Sequence, residues 1–155
     1  MTDSDPLILL TNDDGIHAEG LRYLKTAVSA LGRVCIVAPE SEQSAIGHAI
    51  TLYEPIRVRE VIRDGVFYWY GVAGTPADAV KLALYSLLPR VPDLVISGIN
   101  DGANVGINVL YSGTVSAATE AAILGVPAIA VSFAQKKDPP SNSRCLMWDR
   151  LPGWS

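Results

Sequence analysis

The stretch that most constrains the fold is "LILLTNDDG", residues 7–15. Five residues pass without polar alternation before Asn-Asp-Asp-Gly ends the run. A short apolar run closed by a turn signal reads as a strand buried on both faces. Such a strand needs a layer above it and a layer below it, which a single antiparallel sheet facing water does not provide. Residues 18–31 supply the first layer. They read as a helix, with Leu21, Leu24, Val28 and Leu31 on one stripe and Arg22 and Lys25 off it. Gly32 stands where a C′ glycine ends a helix. Residues 33–38 form a second apolar run, stopped by Pro39. Strand, helix and strand make a β-α-β unit with parallel strands and a right-handed crossover.

Beyond Pro39 comes the polar segment "PESEQSAIGHA", then alternating residues from Ile56 to Ile62, the turn "RDG" and the answering strand "VFYWY". This is a hairpin, read as an antiparallel excursion from the main sheet. Thr75, Pro76 and Asp78 have the spacing of an N-cap, an N1 proline and an N3 acid, so a helix is expected to about Leu88. Residues 94–97 are a further buried strand. A long loop, or a loop with one helical turn, leads to a helix over 114–124 and an apolar strand over 128–132. The fold class is α/β: a Rossmann-like three-layer sandwich on a mostly parallel sheet. One domain is expected over 1–133. Residues 134–155 are polar, proline-rich and aperiodic, and read as an atypical tail.

Composition narrows the function. Hydrophobic residues make up 49% of 155 and charged residues 18%, which suits one domain with a sizeable core. A net charge of −4 gives no long-range attraction for a nucleic-acid backbone, so no nucleic-acid polymer is expected as partner. "MTDSDPLILL" lacks a basic n-region, and no run approaches the roughly 20 apolar residues of a membrane span. Cys35 and Cys145 form no metal-ligand spacing, and Cys35, inside "RVCIVA", reads as buried. A cytoplasmic location is the expectation, with no membrane partner.

In open parallel sheets ligands bind at the carboxyl ends of the strands. Asn12, Asp13 and Asp14 leave the first strand, Ser44 follows the second, and Asn100 follows the strand at 94–97. The topology brings these exits to one rim. Two carboxylates about 4 Å apart at an effective dielectric near 20 repel by roughly 4 kcal/mol, so a cation, a shared proton or outward splaying has to relieve them. Two carboxylates, an amide oxygen and a hydroxyl suit a hard cation such as Mg²⁺ or Mn²⁺, not zinc. Alone, "NDDG" is an ordinary capping turn; the joint placement with Ser44 and Asn100 favours the cation.

"YSGTVSAATEAA" is the second signal. Ser112, Gly113 and Thr114 open a helix of small residues, where free amides, hydroxyls and a glycine make an anion site. An isolated S-G-T is also an ordinary N-cap. Neither a Walker A pattern nor a Gly-x-Gly-x-x-Gly after the first strand occurs. His17 and His48 are the only histidines, and His48 shares a loop with Ser44. Tyr68, Trp69 and Tyr70 read as a packed hairpin rather than a base-stacking platform.

Five blocks, "ILLTNDDGIHAEGL", "VAPESEQSAIGHAIT", "GTPADAVKLAL", "PDLVISGINDGANVG" and "YSGTVSAATEAAILGVPAIAVS", occur in order from about Leu7 to Phe133. Together they resemble the SurE family of stationary-phase survival proteins. The resemblance implies a metal-dependent phosphatase acting on nucleoside 5′- and 3′-monophosphates, and on short polyphosphate. It implies one Mg²⁺ or Mn²⁺ per subunit, held by Asp13, Asp14, Ser44 and Asn100, with Asn12 and Ser112-Gly113-Thr114 facing the substrate phosphate. It also implies a homodimer or larger assembly. Family members are longer, and nothing after Phe133 resembles their C-terminal part. The expected chemistry is phosphomonoester hydrolysis in which one of Asp13 and Asp14 orients or deprotonates the attacking water. The alternative is a shortened domain that holds metal and nucleotide without turnover. An aspartyl-phosphate phosphatase would want Asp-x-Asp after the first strand, and the pair here is adjacent.

Overall fold

A computed structural model describes residues 5–43, 47–63, 66–102 and 104–134. Six strands form one sheet: β1 (Leu7–Thr11), β2 (Arg33–Pro39), β3 (Val58–Arg63), β4 (Val66–Val72), β5 (Leu94–Asp101) and β6 (Ala128–Phe133). Their order is β3-β4-β2-β1-β5-β6. All neighbours are parallel except β3, which runs antiparallel to β4. The antiparallel hairpin is joined to that sheet. Its second strand adds to the parallel sheet beside β2, and only its outer strand is reversed. The tail after Ala134 lies outside the described residues.

The helices divide the two faces, as the unalternating β1 requires. Helix α1 (Glu19–Val28) covers one face, where Leu21, Leu24 and Val28 meet Ile8, Leu10, Ile36 and Ile96. Helices α2 (Pro76–Leu82) and α3 (Gly113–Ile123) cover the other, with Leu9, Val37 and Val95 against Ala79, Val80, Ala117 and Ala121. Burying each large aliphatic side chain contributes roughly 1.5–3 kcal/mol. The alanines let α2 and α3 lie close to the sheet and to each other. Trp69 belongs to the α1-side core, in keeping with a packed hairpin.

Two local readings change. Helix α1 stops at Val28, not Leu31. Gly32 lies against the Pro6 carbonyl, Arg33 N–H donates to that carbonyl at 2.7 Å, and the chain has to leave the helix early to make this turn. Leu31 is consequently exposed. Cys35 is half-buried rather than buried, and burial raises its thiol pKa. The second helix behaves as its cap predicts. Thr75 Oγ1 accepts from Asp78 N–H, the Asp78 carboxylate accepts from Thr75 N–H, and the helix passes into one π turn over Ala83–Leu87.

Candidate active site

The exits of β1, β2 and β5 meet the start of α3 at one rim. Thr11 and Ser97 are register partners on β1 and β5, both fully buried. Above them the chain turns at Asn12. Its Nδ2 donates to Gly15 O at 2.9 Å and closes the turn, while its Oδ1 is buried without a protein donor. Thr11 Oγ1 and Ser97 Oγ are likewise buried without a protein partner. The floor of the rim thus carries three buried polar atoms without a protein partner, which a water or a ligand can satisfy.

Asp13 is where three segments join. Its main-chain carbonyl accepts from Gln43 N–H at 2.8 Å, which ties in the exit of β2. Its carboxylate accepts from Thr114 Oγ1 at 2.5 Å, which ties in α3. Gly113 makes the approach possible. A Cβ there would stand 2.6 Å from Asp13 Cβ and 2.9 Å from its Oδ2. Ser112 caps α3, accepting from Val115 N–H at 3.2 Å. The amides of Gly113 and Thr114 lie in the first helical turn, where no intrahelical acceptor exists.

Asp14 lines a cavity of about 360 Å³ together with Asn100, Asp101, Gly20, Tyr23 and Phe133. Burial, then the Asp13 charge, raise its pKa to about 6; Glu42 and Asp101 add to the rise and the Asp101 N–H opposes it. That is the electrostatic signature of a carboxylate short of positive charge. Asn100 faces the same cavity, and its Nδ2 donates to Gly102 O at 2.9 Å. The bond occupies the donor end of the amide, and the oxygen is the end a cation uses. Helix α1 closes this side tightly, since a Cβ on Gly20 would stand 2.2 Å from Ile99 O.

The sequence-predicted residues are thus brought together in part. Asp13 meets Gly113 and Thr114 at the start of the helix that Ser112 caps, and Asp14 and Asn100 share one cavity. Ser44 lies outside the described residues, but Gln43 beside it is bonded to Asp13. Among the described residues no three His, Cys, Asp or Glu side chains are grouped to hold a metal ion. A hard cation here would need neutral oxygens to complete the carboxylate pair, and the donor set of the rim fits one.

His17 is exposed beside a separate groove lined by Glu40, Arg59 and Gly71. His48 is bonded to Glu120 of α3. Sequence reasoning missed Glu120 and Asp101. Glu120 did carry a signal, being the single charged residue in "GTVSAATEAAI".

A family model described as "Survival protein SurE" matches residues 8–150, nearly the whole chain and farther than the five motifs reach. The chain belongs to the SurE family. A protein named 5′-nucleotidase SurE from Syntrophobacter fumaroxidans is 58% identical over 126 residues, covering 81% of this chain and 50% of that protein. Another of that name from Solidesulfovibrio magneticus is 62% identical over 126 residues, covering 81% and 49%. A crystal structure of the SurE protein from Aquifex aeolicus superposes with a TM-score of 0.78 at 45% identity, covering 86% of this chain and 53% of that one. The α/β sandwich is therefore the SurE fold. This SurE-family chain spans about half the length of the curated relatives it matches. No helix among its described residues is long and apolar enough to cross a membrane.

Proposed function

We propose that this chain is a divalent-metal-dependent phosphomonoesterase that hydrolyses nucleoside 5′- and 3′-monophosphates, and short polyphosphate, in the cytoplasm. The relatives' name, 5′-nucleotidase SurE, supports the substrate class. The observation that carries the reading is the Asp13 junction, where an acidic side chain and a helix N-terminus are fastened together. Carboxylate and anion-binding amides side by side make sense when a cation and a phosphate share the space.

Asp13, Asp14, Ser44 and Asn100 would hold one Mg²⁺ or Mn²⁺ per subunit. Such an ion, when bound, supplies Lewis-acid polarisation of a phosphate oxygen and an acidified water. The rest falls to the chain itself. Thr114 fixes the Asp13 carboxylate through its hydroxyl. The Gly113 and Thr114 amides face charge that develops on the equatorial oxygens. Asn12 spends one amide hydrogen on its turn and has a second for the phosphate. Asp14, turned to the open cavity, orients or deprotonates the attacking water.

The test is phosphate release from a panel of nucleoside monophosphates with Mg²⁺ or Mn²⁺, with and without chelator. Release that chelator stops, and that Asp13→Asn and Asp14→Asn both abolish, is expected. Near-normal turnover in both variants would remove the mechanism. The same assay separates a second reading, a domain that holds metal and nucleotide without turnover. Calorimetric uptake of metal and nucleotide without phosphate release would make it a binding domain. A homodimer or larger assembly is proposed from the family, to be read from its mass in solution.

A further inference from the structure

Residues 47–51 lie a few positions beyond Ser44 in the chain, and four of these five are fastened to the fold. Gly47 N–H donates to Tyr111 O at 3.3 Å. His48 Nε2 lies 2.7 Å from Glu120 Oε2. Ala49 O accepts from Thr75 Oγ1 at 2.8 Å. Thr51 donates to Asp78 through its N–H at 2.9 Å and its hydroxyl at 2.7 Å.

The His48 contact differs in kind from the others. The Glu120 side chain is only 8% exposed, and it is the one charge in α3. Lys81 of α2 stands 3.6 Å from its second oxygen. The packing of α2 on α3 does not need this carboxylate, because the rest of that face is Ala79, Val80, Ala83, Ala117 and Ala121. Glu120 is buried, while its partners His48 and Lys81 are 34% and 40% exposed, so its two contacts are with side chains that reach in from the surface. The first of these captures His48. What His48 anchors is close to the rim: Gly47 is bonded to Tyr111, which directly precedes Ser112, Gly113 and Thr114.

We propose that His48 and Glu120 are positioning residues of the rim. Glu120, steadied by Lys81, draws His48 onto α3 and so seats the 47–51 segment against Tyr111 at the start of the α3 cradle. This rests on the nucleotidase reading above. Neither residue is placed to touch reacting atoms, so their loss falls on binding more than on turnover.

The experiment uses the full chain and four readouts: Mn²⁺ affinity by calorimetry, KM and kcat for a nucleoside monophosphate, and Tm. His48→Ala is expected to weaken Mn²⁺ uptake and raise KM by about tenfold, the scale of one lost charge-assisted hydrogen bond, with kcat little changed. His48→Gln, whose amide nitrogen reaches where Nε2 stood, should restore most of the loss. Val28→Ala, in the core on the opposite face of the sheet, controls for stability. The proposal is overturned if His48→Ala binds and turns over as the parent does, if glutamine is no better than alanine, or if Val28→Ala gives the same loss. Should His48→Ala fail to fold, the Lys81→Met variant takes its place, with a smaller rise in KM expected and none overturning the proposal. Absence of Mn²⁺ uptake by the unaltered chain overturns the nucleotidase reading as well, whereas normal uptake with an indifferent His48→Ala overturns this inference alone.

Discussion

Thr114 Oγ1 donates to Asp13 Oδ1 at 2.5 Å, joining the first turn of α3 to the exit of β1 across 101 residues of chain. Both residues are buried. Removing the hydroxyl without changing the shape deprives a buried carboxylate oxygen of this donor. Thr114→Val is therefore expected to cost about 1–3 kcal/mol, read from urea unfolding of the metal-free protein, and to lower phosphate release. Thr114→Ser keeps the donor and should stay near the parent in both measurements.

Gly113→Ala tests the same junction by size. The new methyl would stand 2.6 Å from Asp13 Cβ, inside contact distance, so the carboxylate or the helix start has to shift. Overpacking of this kind costs typically 1–3 kcal/mol. The expected outcome is a folded protein with sharply reduced metal-dependent phosphate release. Full activity in a folded Gly113→Ala would show that the close approach has no functional part.

Asp14→Asn should separate function from stability. The Asp14 carboxyl is raised to about 6 by burial and by its acidic neighbours, so at neutral pH its charge opposes folding. Neutralising it should raise the Tm of the metal-free protein while abolishing phosphate release. A lower Tm would mean that the carboxylate makes structural contacts worth more than the repulsion.

Much of this was legible in the sequence, and the rest was not, for a consistent reason. The Thr75-Pro76-Asp78 cap is local chemistry within four residues, and it stands as read. The unbroken run in β1 forced a layer on each side, and both are there. The early end of α1 depends on Pro6, which is remote from it in sequence, so no helical pattern around Leu31 could show it. Strand β5 runs on through Asp101 because Asn100 and Asp101 regain pairing with Ser132 and Phe133 after a shift in register. Polar residues "GIND" looked like loop because that pairing is tertiary. The strand exits named Asp13, Asp14 and Asn100 as neighbours; they could not say that Asp13 faces α3 while Asp14 faces α1.

The cap of α2 gives an acid-stability prediction. Burial alone would raise the Asp78 pKa, but hydrogen bonds from Thr51 and Thr75 outweigh it and hold the carboxyl below its ordinary 3.8. A carboxyl lowered on folding stabilises the protein above its unfolded pKa and loses that contribution as pH falls through the folded value. Asp78→Asn should therefore be less stable than the parent at pH 7, because an amide keeps one accepting oxygen and its nitrogen has to face either the Thr51 N–H at Oδ1 or the Thr51 hydroxyl and Thr75 N–H at Oδ2. The gap should narrow as pH falls below 3.8. Urea titrations of both proteins from about pH 7 to about pH 2.5 measure it, and a gap that stays constant would deny the carboxylate its part.

Gly20 offers a way to loosen one side of the rim and leave the other intact. A Cβ there would stand 2.2 Å from Ile99 O, a backbone atom that cannot rotate aside, so α1 and the exit of β5 must separate. Those two elements carry the walls of the cavity that Asp14 and Asn100 share. The Asp13–Thr114 junction lies on the α3 side and does not depend on this contact. Gly20→Ala is thus expected to weaken Mn²⁺ uptake by about tenfold or more, the scale seen when the supports of metal ligands are disturbed. It should also lower stability by about 1–3 kcal/mol. Calorimetric titration with Mn²⁺ reads the first and urea unfolding the second. Uptake equal to the parent's in a Gly20→Ala protein that has lost stability would show that the Asp14–Asn100 cavity takes no part in holding the ion, and would confine the site to the α3 side of the rim.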